Sequence, residues 1–506
     1  MTKASLMHLG DIVRQCDVTG VDGPLDRTIV GMAYDSRRVV PGTLFVAVPG
    51  SRLDGHDFIA NAVERGASAV ICERNGFVPP RATRIRVRCA REALARASAA
   101  FYEHPSTKLK VIGVTGTHGK TTVAFMIKRM LEEAGIPTGL ISTIHYEVGD
   151  RIIPAHRSTP EALEVQHMMA AMLRAGCQAC VIEVSSHALA QHRVAGVAFD
   201  VAVFTNLGPD HLDYHEDMES YFDAKRKLFA ALSEGTKRSG SVINIDDPFG
   251  ARLASETVAE LQLTYSLGRE SKLRATGIQL GAAGIRMTIE GPGATFGCRL
   301  PMIGRHNVYN ALAASGAALV AGVPVPAIQS ALSSMPPVPG RLESVSQGQP
   351  FRVYVDYAHT EDALRQVLTS LREITPGRLL LVFGCGGSRD TGKRARMGGV
   401  AAELADHTLI TNDNPRREDP AQIADEILKG YQSIRSDAVG LELDRTRAID
   451  TIIRLADQND TVLIAGKGHE TYQELDDTVI PFDDRIYVRE SLQGLGFARR
   501  NARSSW

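Results

Sequence analysis

Residues 110–122 read Lys-Val-Ile-Gly-Val-Thr-Gly-Thr-His-Gly-Lys-Thr-Thr, an apolar strand that enters a Gly-rich turn and ends on Gly-Lys-Thr-Thr. An amphipathic run follows from Val123 to near Gly135, with the spacing of a helix. Strand, glycine loop and helix in this order bind nucleotide phosphates. Backbone N–H groups turn inward as an anion nest, and the helix N-terminus adds partial positive charge. Gly116, Thr117, His118, Gly119, Lys120, Thr121 and Thr122 are therefore candidate ATP contacts. Lys120 would reach the terminal phosphates and the Thr121 hydroxyl would ligate Mg²⁺. The strict pattern wants a glycine five positions before Gly119, where this chain has Val114.

This loop argues for ATP and leaves its use open, so the rest of the chain must supply the second substrate. At 506 residues the chain exceeds one core, and about three domains are expected. A formal charge of −1 carries no polyanion footprint, which disfavours nucleic acid. Met1 to Arg14 lacks the apolar core of a signal peptide. The uncharged run Asn310–Leu332, with Pro324 and Pro326, reads as a buried helix followed by a turn and not as a membrane span. Seven scattered cysteines fit a reducing cytoplasm, and Cys177-x-x-Cys180 reads as two buried thiols.

The expected fold class is α/β, in three domains. Residues 1–107 form a small N-terminal α/β domain, 108–338 a central P-loop ATPase domain with a mainly parallel sheet, and 339–506 a C-terminal Rossmann-like domain. In the central domain, the apolar strand at 180–184 carries Glu183 at its carboxyl end, and the strand at 201–205 opens into Asn206–His215. Ligands of open α/β sheets sit outside the carboxyl ends of strands, which places Glu183 and His211 toward the phosphate end of ATP. In the last domain, strands at 353–356, 379–383, 408–411 and 462–465 each open into a polar motif, and together they suggest one sheet edge lining a cleft. The tail Ala498–Trp506 is expected to fray.

Glu183 suits Mg²⁺, whereas His211 reads equally as a ligand or as a loop histidine capping Asp210 or Asp213. Lys225 lies on a helix expected over 220–232. An ammonium has donors only, so Lys225 could ligate a metal only as a carbamate. Arg389 and Arg416 are suited to bidentate carboxylate binding, and Asp413 and Glu470 to an ammonium, which together describe a zwitterionic amino-acid pocket. An ATP site facing such a pocket suggests amide ligation, with ATP phosphorylating a carboxylate that an amine then attacks.

Seven motifs stand in order: Gly-Thr-His-Gly-Lys-Thr-Thr at 116, Glu-Val-Ser-Ser-His at 183, Thr-Asn-Leu-Gly-Pro-Asp-His-Leu-Asp-Tyr-His at 205, Ala-Lys-Arg-Lys-Leu-Phe at 224, Gly-Arg-His-Asn-Val-Tyr-Asn at 304, Asp-Tyr-Ala-His-Thr at 356 and Gly-Lys-Gly-His-Glu at 466. On these the chain resembles the Mur ligases of peptidoglycan synthesis over nearly its whole length, and that family's loop also lacks the first strict glycine. The resemblance implies a cytoplasmic, monomeric ligase that uses ATP and Mg²⁺ to join meso-diaminopimelate to UDP-N-acetylmuramoyl-L-Ala-D-Glu. It implies that Tyr34, Ser36, Ser51, Arg52 and Leu53 hold the uridine nucleotide, and that Ser158, Thr159, Ser185, Gln191 and Arg193 hold the muramoyl-dipeptide. Arg157 stands where relatives often have Asn. Asn307, Arg341 and His359 would contact ATP, and Thr121, Glu183, His211 and carbamylated Lys225 would serve the metal. Arg389, Asp413, Asn414, Pro415, Arg416, Gly466 and Glu470 would hold diaminopimelate. In the family, Asp-Asn-Pro-Arg marks addition of diaminopimelate, whose second carboxylate lysine lacks. Two arginines left unpaired should then reject lysine strongly. The rivals are a lysine-adding ligase, a folate-type polyglutamate ligase and a P-loop ATPase of another class.

Overall fold

The computed structural model describes residues 6–50, 53–74, 78–212, 214–234 and 237–497. Ser51, Arg52, Asp213 and the tail Ala498–Trp506 lie outside the described residues.

The chain builds three α/β domains, each on its own sheet. The first sheet has five strands, in the order Val18–Asp22, Thr83–Val87, Ala67–Cys72, Thr43–Val46, Gly31–Ala33. Helix Ala90–Phe101 covers it with an alanine-rich face.

The central sheet has eleven strands. Its core is parallel and runs Thr138–Ile141, Ala179–Glu183, Lys110–Thr115, Val201–Phe204, Gly240–Asn244, Leu261–Ser266. Val111, Ile112 and Val114 have no exposed surface, as strands covered on both faces require. The strand Lys110–Thr115 lies between Ala179–Glu183 and Val201–Phe204, so the glycine loop, Glu183 and the Asn206–His211 loop all leave from neighbouring carboxyl ends. Helix Lys120–Glu133 buries Val123, Ala124, Ile127, Met130 and Leu131. It begins at Lys120, earlier than the apolar spacing predicts, because the first turn is polar and faces the loop. Residues 310–332 form parts of two helices, His306–Val320 and Val325–Ser333, where the sequence suggests one helix and a turn. Pro324 caps the second helix and Pro326 sits in its first turn, where a missing N–H costs nothing.

The third sheet runs Glu343–Ser344, Arg352–Asp356, Thr461–Ala465, Leu379–Phe383, His407–Ile410, Val439–Leu441, parallel after its first pair. The four strands with polar tips are neighbours, and their tips share one edge as expected. A hairpin with no forecast in the sequence, Tyr472–Leu475 with Thr478–Pro481, folds back over that edge. Among the described residues, no helix is long and apolar enough to cross a membrane. Cys177 and Cys180 are buried free thiols, as expected.

Candidate active site

The glycine loop turns through Gly116 at φ 145° and Gly119 at φ 85°. A Cβ on Gly116 would collide with Thr205 Oγ1, and one on Gly119 with Asn310 Oδ1, so both positions need glycine for space as well as for conformation. The loop is braced from the next strand. His118 N donates to Asn206 Oδ1 at 2.9 Å, and Thr205 Oγ1 donates to His118 O at 2.7 Å. Lys120 Nζ donates to the carbonyls of Gly116 (2.9 Å) and Thr117 (2.7 Å). Burial holds the His118 imidazole down near 4, so it is neutral at pH 7.

The loop opens on a cleft of about 440 Å³ between the central and C-terminal domains. Thr117–Thr122, Glu183, His211, Lys225, Asn307, Arg341 and His359 all line it, together with Ser158 and Ser185. Arg341 crosses from the C-terminal domain to donate to Thr121 Oγ1 at 3.2 Å. Asn307 is 2% exposed and donates to Ile303 O, so within this set it also braces its own helix start. His359 Nδ1 meets Tyr357 O at 2.8 Å, and burial lowers its pKa.

Glu183 is fully buried. Its Oε2 accepts from Thr121 Oγ1 and Thr143 Oγ1, both at 3.0 Å, and its Oε1 accepts from Thr143 N at 2.8 Å. A carboxylate and a hydroxyl side by side at the phosphate loop are hard oxygen donors of the kind Mg²⁺ takes alongside phosphates. Among the described residues, no three His, Cys, Asp or Glu side chains form a metal cage. His211 lies in the cleft wall with φ 55°, and its Nε2 is 3.5 Å from Asp210 Oδ2, a neighbour that the alternative reading named.

Lys225, on helix Met218–Glu234, is 1% exposed and lies inside the cleft wall. Its Nζ donates to Gly116 O at 2.8 Å and lies 4.4 Å from the centre of the Tyr221 ring. Burial first, and the Lys120 charge second, push its pKa far below the ordinary lysine value. Lys120 and Lys225 share one carbonyl oxygen, so only one of them is comfortably cationic. A neutral lysine amine is the form that takes up CO₂.

The residues carried over for the nucleotide substrate fall into two places. Thr159 Oγ1 donates to Glu183 O at 2.7 Å, and Ser185 N donates to Thr159 Oγ1 at 3.1 Å, so the buried Thr159 braces Ser185, which lines the cleft. Arg193 holds Thr159 O (2.9 Å) and Gln191 Oε1 (2.7 Å). On the N-terminal domain Ser36 is buried in the turn Ser36–Arg38, and Leu53 is 69% exposed. The Tyr34 hydroxyl donates across the domain boundary to Glu164 Oε1 at 2.8 Å.

The amino-acid candidates form a second cluster at the tips of the C-terminal strands. Asp413, Asn414 and Pro415 are buried, and Gly466 packs against the Asp413 carboxylate. The ammonium that reaches them is the chain's own. Lys467 Nζ, fully buried, donates to Asn414 Oδ1 and Glu470 Oε2, both at 3.0 Å, and lies 4.0 Å from Asp413 Oδ1. Lys467 is a resident counter-charge that the reading of Asp413 and Glu470 as an ammonium site did not include. A buried acidic pair needs a resident counter-charge when empty. Arg416 is already paired with Glu474 at 2.5 Å, and Arg389 is exposed on the loop after Leu379–Phe383.

Arg445 sets the shape of this cluster. Fully buried, it forms a bidentate pair with Asp484 (2.7 and 2.8 Å) and donates to the carbonyls of Asn412 (3.0 Å) and Ala465 (2.9 Å), the residues before Asp413 and Gly466. Replacing Arg445 with Met alone should destabilise the domain by about 3–5 kcal/mol, because Asp484 stays buried without its partner. Arg445→Met with Asp484→Leu should recover most of the thermal midpoint, since an apolar pair of similar volume is tolerated. Its KM for the amino acid should still rise about tenfold, as both loops lose their tether. An unchanged KM in the folded double variant would show that the tether is dispensable.

Sequence reasoning missed Thr143, Lys467, Arg445 and the hairpin Tyr472–Pro481. Lys467 stands inside a quoted motif and had a signal, while the others reach the site only through tertiary contacts.

Residues 28–102 match the Mur ligase family catalytic domain, 114–318 the Mur ligase middle domain and 340–468 the Mur ligase glutamate ligase domain. The chain is 43% identical to the UDP-N-acetylmuramoyl-L-alanyl-D-glutamate–2,6-diaminopimelate ligase of Geobacter metallireducens, over 97% of this chain and 99% of the relative. It is 46% identical to the ligase of the same name from Gloeobacter violaceus, over 92% and 94%. A solved structure of a ligase of that name superposes with a TM-score of 0.68 at 30% identity, covering 97% of this chain and 99% of the other. With all three domains matched in order and the glycine loop, Glu183 and Arg341 converging on one cleft, the chain belongs to the Mur ligase family.

Proposed function

We propose that this chain is an ATP-dependent amide ligase that adds meso-2,6-diaminopimelate to the D-Glu carboxylate of UDP-N-acetylmuramoyl-L-Ala-D-Glu, acting as a cytoplasmic monomer in peptidoglycan precursor synthesis. The carrying observation is the adjacency of two unlike clusters, an anion-binding cleft around Lys120 and an acidic cluster beside Arg416. They are joined by a short aromatic bridge. The Arg341 guanidinium lies 4.8 Å from the centre of the Tyr357 ring, and His469 lies 4.9 Å from the same ring. The names of the relatives support the substrates.

In this reading residues 1–107 bind the uridine end through Tyr34, Ser36, Ser51, Arg52 and Leu53, residues 108–338 bind ATP, and residues 339–506 bring the amino acid. Ser158, Thr159, Ser185, Gln191 and Arg193 direct the D-Glu carboxylate at the γ-phosphate. That carboxylate takes the phosphoryl group and ADP leaves. The amine of the acceptor then attacks the acyl carbon, the C–N bond forms, the C–O bond to phosphate breaks, and the amine gives up a proton. Lys120, Arg341 and the loop N–H groups face the charge that develops on the transferring phosphoryl group. Thr121 and Glu183 would hold Mg²⁺, with Lys225 as a carbamate and His211 behind them. Bound there, the ion would offset phosphate charge. Arg416 and Arg389 take the distal carboxylate of the acceptor, with Asp413, Asn414, Pro415, Gly466 and Glu470 around its amino-acid group.

The test is phosphate release with ATP, Mg²⁺ and the UDP-muramoyl-dipeptide, adding meso-diaminopimelate or L-lysine in parallel. Turnover with diaminopimelate far exceeding that with lysine is expected. Lysine used as well as diaminopimelate would overturn the role given to Arg416, and release indifferent to both acceptors would overturn the ligase reading.

A further inference from the structure

We propose that Glu474 is a resident counter-ion for Arg416 that tempers how strongly the acceptor site prefers a second carboxylate. The inference rests on the reading that Arg416 binds the distal carboxylate of the acceptor.

Arg416 is a left-handed residue, φ 53°, whose backbone is stitched to the hairpin Tyr472–Leu475. Its N–H donates to Glu474 O at 3.2 Å, and its own carbonyl accepts from Asp476 N at 2.8 Å. The hairpin is held in turn by Glu474 N on Asn414 Oδ1 (3.0 Å) and Gln473 Nε2 on Asp413 O (2.7 Å). Glu474 is therefore located by backbone bonds that do not involve its carboxylate. That carboxylate reaches Arg416 Nε at 2.5 Å, while Arg416 Nη1 donates to Gly387 O at 2.9 Å. A guanidinium has five N–H donors, so part of its Nη edge stays available to an incoming carboxylate. The two side chains are 23% and 27% exposed, a partly desolvated pair whose charges are only partly screened by water.

Two consequences follow for selectivity. An acceptor with a distal carboxylate meets a cation already half neutralised, with a like charge beside its landing place. An acceptor without that carboxylate leaves Arg416 paired with Glu474 and not stranded, which lowers the penalty that an unpaired guanidinium would impose. Both effects narrow the preference for a dicarboxylic diamine over a monocarboxylic one.

The test is Glu474→Gln, which keeps an amide oxygen near Arg416 Nε and every backbone bond of the hairpin while removing the charge. Asp477→Asn is the control, because Asp477 sits on the same hairpin and pairs with Arg417 at 2.6 Å instead. For Glu474→Gln, KM for meso-diaminopimelate should fall about threefold to tenfold, and the ratio of kcat/KM for diaminopimelate over L-lysine should rise by a similar factor. KM for ATP should stay put, which also reports an intact fold. Asp477→Asn should move neither quantity. A raised diaminopimelate KM would mean that Glu474 serves to aim Arg416, and an unchanged ratio would mean that its charge is irrelevant. Either result overturns the inference. Failure of the underlying reading is separate and visible first, as an unmodified protein that does not turn over diaminopimelate.

Discussion

Lys225→Ala should lower kcat by about 10²- to 10³-fold while leaving KM for the amino acid within a few fold, the pattern of a group that acts on the transferring phosphoryl group. The geometry gives the reason. Lys225 Nζ is buried beside Lys120 on the same Gly116 carbonyl, and both burial and that neighbouring charge drive it toward the neutral amine. The neutral amine adds to CO₂, forming an N–C bond and releasing a proton, and the product is a carbamate with two acceptor oxygens. The charge at that point changes from neutral to negative, and a residue that competes with Lys120 becomes one that attracts cations. The measurement is ¹³C NMR of protein equilibrated with ¹³C-bicarbonate, paired with steady-state rates in CO₂-depleted buffer. A carbamate resonance absent from Lys225→Ala, and a rate that falls on depletion and returns with bicarbonate, are expected. Lys225→Ala retaining half of the activity, or an active protein with no such resonance, would sink the carbamate role.

The contrast between Lys225 and Lys467 shows what a sequence can carry. Parallel-sheet architecture is legible because buried strands are continuous apolar runs, and Leu379–Phe383 has the bounds its composition suggests. The phosphate loop is legible because its glycines answer local demands, a positive φ and a close approach. Chain periodicity places Lys225 on a helix, but periodicity does not say that this helix turns inward against Gly116. Nothing local distinguishes Glu474 from any solvated hairpin carboxylate, since its partner is 58 residues earlier in sequence. Residue types in the acceptor cluster were readable, whereas their state of pairing was not. Pairing depends on which strand tips become neighbours, and the order of the third sheet puts Thr461–Ala465 between Arg352–Asp356 and Leu379–Phe383, out of sequence order.

Lys467→Met should lower the stability of the C-terminal domain by about 3–5 kcal/mol near neutral pH, because it removes the only side-chain cation within 4.0 Å of Glu470 and Asp413 among the described contacts. At about 2–4 °C per kcal/mol, the thermal midpoint should drop by about 10 °C. The loss should depend on pH in a definite sense. Burial already raises the Glu470 pKa above its ordinary value, with Lys467 pulling the other way, so deleting the lysine raises it further. An acid whose folded pKa is raised binds a proton on folding, and the penalty is absent below the unfolded pKa and complete above the folded one. The midpoint deficit of Lys467→Met should therefore shrink from pH 8 toward pH 5, as Glu470 takes up its proton. Adding Glu470→Gln should restore much of the stability at pH 8, since the stranded charge is gone. It should not restore KM for the amino acid, because Asn414 Oδ1 loses the Lys467 donor in both variants. A deficit that grows on acidification would assign the destabilisation to packing alone. A double variant with normal KM would show that the Lys467 ammonium stabilises the cluster without shaping the acceptor site.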